Sequence, residues 1–221
     1  MNTEKHSLYP FEETSKEDTL KRSEWFKKEM KKRRSIRAFS SKSVAKDVIE
    51  NIIITASSAP SGANKQPWVF CAISDADIKA EIRKAAEKEE YEAYHGKMSE
   101  TWLNDLKPFD TDWHKPFLEK APWLIVVFKK PYGLAEDGSK EQHYYVNESV
   151  GIACGFLISA IHQAGLVTLT HTPSPMAFLS KILKRPENER PFLLLPVGYP
   201  EKEATVPNIQ KKGEAEVIAW Y

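Results

Sequence analysis

Cysteine is scarce. Cys71 and Cys154 are the only two in 221 residues, each inside an apolar run, so a disulfide framework is excluded and both read as buried thiols of a reducing compartment. No CxxC or HExxH spacing occurs, and His6, His95, His114, His143, His162 and His171 are scattered, so no metal site is expected. No apolar run reaches the roughly 18 residues of a membrane span. The opening MNTEKHSLYPFEE lacks the apolar core of a signal peptide. An excess of either charge is also missing: Lys+Arg 32 against Asp+Glu 31 gives +1, without the broad basic footprint of a dedicated nucleic-acid binder. No nicotinamide-binding GxGxxG follows an expected strand. What remains is a cytoplasmic protein of one sizeable domain, with no metal, no nucleic acid and no membrane.

What is present is an alternation of helical and strand-like patterns. Residues 1–14 are polar and aromatic without periodicity and read as an N-terminal arm. SKED, from Ser15, opens a helix with a capping box that has Asp18 in place of Glu, running to about Lys31. Ser43 is expected to cap a helix over 45–57, with Val48, Ile49, Ile52 and Ile53 as its buried face. Residues 68–73 read as a strand, Asp75 to about Leu106 as a long helix weakened at Gly96, and 123–128 as a second strand. A third long helix over 142–164 ends at Gly165. Alternation of Val167 and Leu169 with Thr168 and Thr170 predicts a strand over 166–171, His171 is read as a strand residue facing solvent, and Ser174 caps a helix to about Leu183. Residues 192–197 form the last core strand, and the apolar end of the tail 199–221, Val217 to Tyr221, is expected to add to a sheet of this chain or of a partner. The class is a layered α/β or α+β sheet with helices.

Three stretches carry chemistry. In KKRRSIRAFS, Arg33, Ser35 and Arg37 alternate with Arg34 and Ile36, so in an extended segment the three point one way. Guanidinium forks with a hydroxyl suit a phosphate monoester, although a solvated basic helix end or a patch for nucleic acid or an anionic membrane is the plainer reading. In APSGANKQPW, Gly62 and Ala63 would let a planar ligand approach the backbone, with Ser61 and the Ala63 N–H as donors; an ordinary helix-to-strand turn is the alternative. Glu90 and Tyr94 share a helix face at i, i+4, with Lys115 following in DWHKPF. An amino-acid zwitterion needs an anion for its ammonium and a cation for its carboxylate, whereas composition alone makes Glu87, Glu89 and Glu90 a solvated acidic face.

RRSIRAF followed by SAPSGANKQPW resembles the flavin-dependent nitroreductase superfamily. Downstream, residues 102–106, 143–149, 164–168, Thr172-Pro173 and 195–207 are similar to its iodotyrosine deiodinase branch, over about residues 25 to 212. The resemblance implies a nitroreductase-like α+β sandwich, with a central mixed sheet flanked by helices and a helical active-site lid over about 87–116. It implies a single FMN-binding domain over 1–221, and an intertwined homodimer with FMN at the subunit interface and the extension 199–221 packing on the partner. The helix carrying Gly151, Ala153 and Gly155 would form the dimer contact. Arg33, Arg34, Ser35 and Arg37 would hold the FMN phosphate and ribityl end, with Lys211 where animal relatives carry arginine. Pro60, Ser61, Gly62 and Ala63 would line the flavin, the Ala63 N–H would meet the substrate phenolate, and the Thr172 hydroxyl would contact flavin N5 and favour one-electron steps. Glu90, Tyr94 and Lys115 would enclose the zwitterion, with Glu89 as the neighbouring alternative to Glu90. The activity implied is FMN-dependent reductive dehalogenation of halotyrosines to tyrosine and halide, with electrons from a reductase or NAD(P)H. A general nitroreductase or quinone reductase without the zwitterion clamp is the alternative inside the superfamily, and a non-enzymatic anion or nucleic-acid binder the one outside it.

Overall fold

The computed structural model describes residues 5–221; residues 1–4, the start of the expected arm, lie outside it. The chain divides into two units, residues 1–33 and 34–221. In the first, α1 (Lys16–Lys32) starts at Ser15, whose Oγ accepts the Asp18 N–H at 3.1 Å. The return half of the expected box differs: the Ser15 hydroxyl donates to the Asp18 carboxylate at 2.8 Å. Glu17 and Asp18 at its start and Lys31 and Lys32 at its end complement the helix dipole.

The second unit is built on a four-stranded sheet in the order β1 (Trp68–Ile73), β2 (Trp123–Lys129), β6 (Arg190–Gly198) and β5 (Val167–Thr168). All three strand pairs are antiparallel, and the parallel component of the sheet is a bridge between Ser35 and Thr168. The apolar run of β2 follows from burial on both faces. With period two, Ile125 and Val127 face a cluster with Ile49 and Ile52 of α2 (Lys46–Ser57) and with Leu157 and Ile161 of α6 (Val146–Gln163). Leu124, Val126 and Phe128 face the other way, onto Ile82 of α3 (Ala76–Glu92), Leu118 of α5 (Phe117–Lys120) and Leu179 of α7 (Ala177–Ile182). Each such fully buried side chain contributes about 1.5–3 kcal/mol.

Several local expectations are corrected. The helix expected to reach Leu106 breaks at a π-type turn, Ala93–Lys97, that contains Gly96, and resumes as α4 (Glu100–Leu106), capped by Ser99 on the Trp102 N–H at 3.2 Å. A hairpin of β3 (Tyr132–Leu134) and β4 (Lys140–Gln142) precedes α6, which therefore starts at Val146 instead of about 142. Ser43 and Ser174 do not cap helices: α2 is flanked by Ala45 and α7 by Met176. The strand expected over 166–171 is β5 alone plus an isolated bridge of His171 to Leu194. Val217 ends a short helix, α8 (Glu214–Val217), whose Gly213 N–H is taken by the Glu216 carboxylate at 2.8 Å, so the tail adds to no sheet of the described chain.

Gly198 ends β6 against Pro122: a Cβ there would lie 2.5 Å from the Pro122 Cδ. A proline ring cannot swing aside, so Gly198→Ala is expected to cost about 1–3 kcal/mol. The check is a lower urea midpoint at unchanged slope; an unmoved midpoint would show that the contact relaxes freely.

Candidate active site

The RRSIR segment is divided by the fold. Arg33 belongs to the N-terminal unit, where it ends α1 with its N–H on the Met30 carbonyl at 3.3 Å. From Arg34 onward the chain is extended and tied to the sheet edge by the Ile36 N–H on the Thr168 carbonyl at 3.2 Å. Ile36 and Phe39 are buried, which turns Ser35 and Arg37 outward. These two line a cleft of about 370 Å³ whose other walls are Pro108–Asp110 and Thr205–Pro207. Arg34 donates to the Pro207 carbonyl, and the Arg37 guanidinium lies over the Phe109 ring at 6.0 Å. Lys211 is exposed on the segment that follows Pro207.

The segment 87–116 brings the third constellation together. Lys115 is only 4% exposed, and its ammonium stands 3.3 Å from Glu90 Oε2, donates to the Asp112 carbonyl and lies 5.6 Å from the Tyr94 ring centre. Tyr94 donates to the Thr111 carbonyl at 3.2 Å. Glu89 turns to Lys97 at 4.0 Å, so the register selects Glu90 as the partner of Lys115. Glu87, expected on a solvated face, accepts the Lys115 N–H at 2.7 Å.

His171 is corrected from solvent-facing to buried. Its backbone pairs with Leu194 in both directions, at 2.8 and 3.1 Å, and paired residues share a sheet face, here that of Phe117, whose ring meets the imidazole edge-on at 5.7 Å. Burial, then Lys115 and Arg37, push its pKa down to about 3, so the ring is neutral at neutral pH. Its buried Nε2 has no hydrogen-bond partner among the described residues. Burial also lowers the pKa of Arg37, which the nearby Tyr94 opposes. Tyr94 is itself raised, by burial first and Glu90 next. Arg37, Tyr94, Lys115 and His171 thus share one electrostatic neighbourhood, with Thr172 exposed beside it.

The Pro60–Ala63 turn makes other contacts. Gly62 donates to the buried Ser149 Oγ at 3.3 Å, and a Cβ on Gly62 would lie 2.8 Å from the Tyr144 carbonyl oxygen, so only glycine fits at the start of α6. The Ser61 Oγ accepts the Gln66 N–H at 2.9 Å, which leaves its own O–H to donate. Ala63 is left-handed (φ 49°, ψ 30°) and exposed, and no described residue accepts its N–H. Such strain at a non-glycine residue, with an open donor, is a feature of ligand sites.

Glu87, Phe109, His171 and Pro207 were not among the expected site residues, although the first two lie inside the expected lid segment 87–116. Two had a signal: Glu87 lies three residues before Glu90 on one helix face, and His171 shares its strand parity with Val167 and Leu169. Phe109 and Pro207 had none.

Residues 30–199 match the nitroreductase family. The chain is 62% identical to an iodotyrosine deiodinase of Haliscomenobacter hydrossis, over 93% of this chain and 92% of that protein. It is 46% identical to iodotyrosine deiodinase 1 of Homo sapiens, over 94% of this chain and 70% of that protein. Among solved structures, oxidized iodotyrosine deiodinase bound to FMN and 3-iodo-L-tyrosine is similar at a TM-score of 0.75 and 29% identity, covering 89% of this chain and 98% of that one. A BluB-like flavoprotein of Clostridium difficile shares the fold at a TM-score of 0.68 and 22% identity, over 88% of this chain and 98% of that one. The motifs, the two-faced sheet and these likenesses agree: the chain belongs to the nitroreductase family, in its iodotyrosine deiodinase branch.

Proposed function

We propose that this protein is an FMN-dependent oxidoreductase that dehalogenates halotyrosines reductively, 3-iodotyrosine foremost with bromo- and chlorotyrosine beside it, to tyrosine and halide. The observation that carries the reading is the Glu90–Lys115 pair at 3.3 Å beside Tyr94. A buried anion and cation, each the other's partner, match the ammonium and carboxylate of an amino acid, and exchange for a zwitterion changes no net charge. A ligand with one of the two charges would leave a buried charge unpaired, which is costly. The FMN and 3-iodo-L-tyrosine of the solved relative support both ligands here.

The residues present fit FMN. Arg34, Ser35 and Arg37, with Lys211, offer guanidinium forks, a hydroxyl and an ammonium to the phosphate and ribityl end, around a cleft that Ser35 and Arg37 line. Pro60, Ser61, Gly62 and Ala63 present a flat, small-residue turn to the ring. FMN, once reduced, supplies the two electrons of the reaction. In that reaction the carbon–halogen bond breaks, halide leaves with the bonding pair, and a carbon–hydrogen bond forms with a proton from solvent. The Ala63 N–H would hold the phenolate oxygen, and the Thr172 hydroxyl would offer a hydrogen bond to the flavin ring and so tune its electron transfer. The lid, 87–116, closes over the amino-acid end, excludes water and orients the ring.

The same reading makes the chain a single FMN-binding domain that acts as a homodimer. Gly151, Ile152, Gly155 and Phe156 form one exposed face of α6, with Ile152 44% and Phe156 40% exposed, and Trp220 in the extension 199–221 is 82% exposed. Apolar surface of this kind supports a partner subunit. Electrons come from a reductase or NAD(P)H. Two unpaired cysteines support a cytoplasmic location.

The test is anaerobic reduction of the flavoprotein with dithionite, addition of 3-iodotyrosine, and parallel reading of the flavin spectrum and released tyrosine. Reoxidation matched by tyrosine is the expected result. A reduced flavin that ignores iodotyrosine but is reoxidised by nitroaromatics would move the function to a general nitroreductase.

A further inference from the structure

We propose that Glu87 is a positioning residue for recognition of the substrate carboxylate: it fixes the main chain of Lys115 and so aims the ammonium, an inference that rests on the halotyrosine reading above. One carboxylate oxygen of Glu87 accepts both the Lys115 N–H and the Arg83 Nε–H, each at 2.7 Å. Arg83 also reaches Glu119 at 3.5 Å, and Lys79 donates to the carbonyls of Glu119 at 3.0 Å and Ala121 at 2.8 Å. Lys79, Arg83 and Glu87 lie at i, i+4, i+8, so one row of α3 holds Lys115, Glu119 and Ala121, the stretch by which the chain returns from the lid to β2.

Helix α3 therefore holds Lys115 twice, at the backbone by Glu87 and at the ammonium by Glu90. The two contacts differ in fate. A bound zwitterion takes Glu90 with its ammonium and Lys115 with its carboxylate, which loosens the second contact. Only the Glu87 contact then keeps Lys115 aimed, the task of outer residues that support a binding group.

The test uses the FMN-loaded protein and two ligands, 3-iodotyrosine and 3-iodotyramine, which lacks the carboxylate. Glu87→Ala is expected to raise the Kd of 3-iodotyrosine on the order of tenfold. It should leave the Kd of 3-iodotyramine and the turnover of saturated enzyme unchanged. Glu87→Gln keeps an acceptor oxygen and should recover most of the affinity. Without ligand, exchange of the Lys115 amide should speed up in the alanine variant and much less in the glutamine one. Equal losses for both ligands, or a Lys115 amide that is unprotected in wild type, would overturn the proposal. A wild type that binds neither ligand while its Lys115 amide still depends on Glu87 would instead overturn the halotyrosine reading and leave the Glu87–Lys115 contact standing.

Discussion

Lys115→Met is expected to weaken 3-iodotyrosine binding by about two to three orders of magnitude while FMN stays bound. The lysine side chain is 5% exposed and its Glu90 partner 12%, so the pair is not discounted by solvent as a surface ion pair would be. Removing one member of a buried pair costs about 3–5 kcal/mol, because the other charge stays behind unpaired. Methionine keeps the length and apolar stem of lysine, so the lid can pack as before and the loss falls on charge. Two effects follow: the substrate carboxylate finds no cation, and in the ligand-free protein Glu90 is left buried without its partner. Binding titration followed by the flavin spectrum measures the first effect and a urea midpoint the second. An affinity unchanged from wild type would remove the lid pair from substrate recognition and leave it a packing feature of α3.

Arg37→Ala is expected to be the second largest change, and to act on the other ligand. Arg37 lies in the cleft with Ser35, and its packing partner on the protein is the Phe109 ring at 6.0 Å, a loose contact. A half-buried guanidinium whose pKa burial already lowers is costly to keep without an anion. Truncating one partner of a hydrogen-bonded charge pair costs about 2–5 kcal/mol, so FMN affinity should fall on the order of a hundredfold or more. Folding should barely change. Flavin content per protein after gel filtration reads the first quantity and thermal unfolding of the flavin-free protein the second; equal flavin content in both proteins would sink the phosphate clamp.

The elements that were legible are those whose burial is continuous along the chain. β1, β2 and β6 appear as short apolar runs because both faces of the sheet are covered, and α2 as an amphipathic repeat because one face packs on α6. The helix break at Ala93–Lys97 was visible only as a weakness at Gly96, since a lone glycine lowers helix propensity without saying that a chain will turn there. The β3–β4 hairpin was missed because its strands are three residues each, β3 only partly buried and β4 exposed throughout, which leaves no hydrophobic pattern to read. Ser43 and Ser174 misled because a serine before a helix is a cap only if the backbone places its hydroxyl over the first free N–H groups.

The site divides along the same line. By its residue types alone, the chain determined a cation-and-hydroxyl segment at Arg33–Arg37, a small-residue turn at Pro60–Ala63 and a carboxylate-bearing helix face at Glu87–Tyr94, because donors, acceptors and charges belong to side chains whatever the fold. Tertiary structure decided which of them meet. The choice of Glu90 over Glu89, the burial of Lys115 against it, the hold of Glu87 on the Lys115 backbone and the turning of His171 into the interior are contacts between segments distant in sequence. Local spacing carries no information about such pairs: they exist only once the sheet has fixed where α3, the lid and the strand edge lie relative to one another.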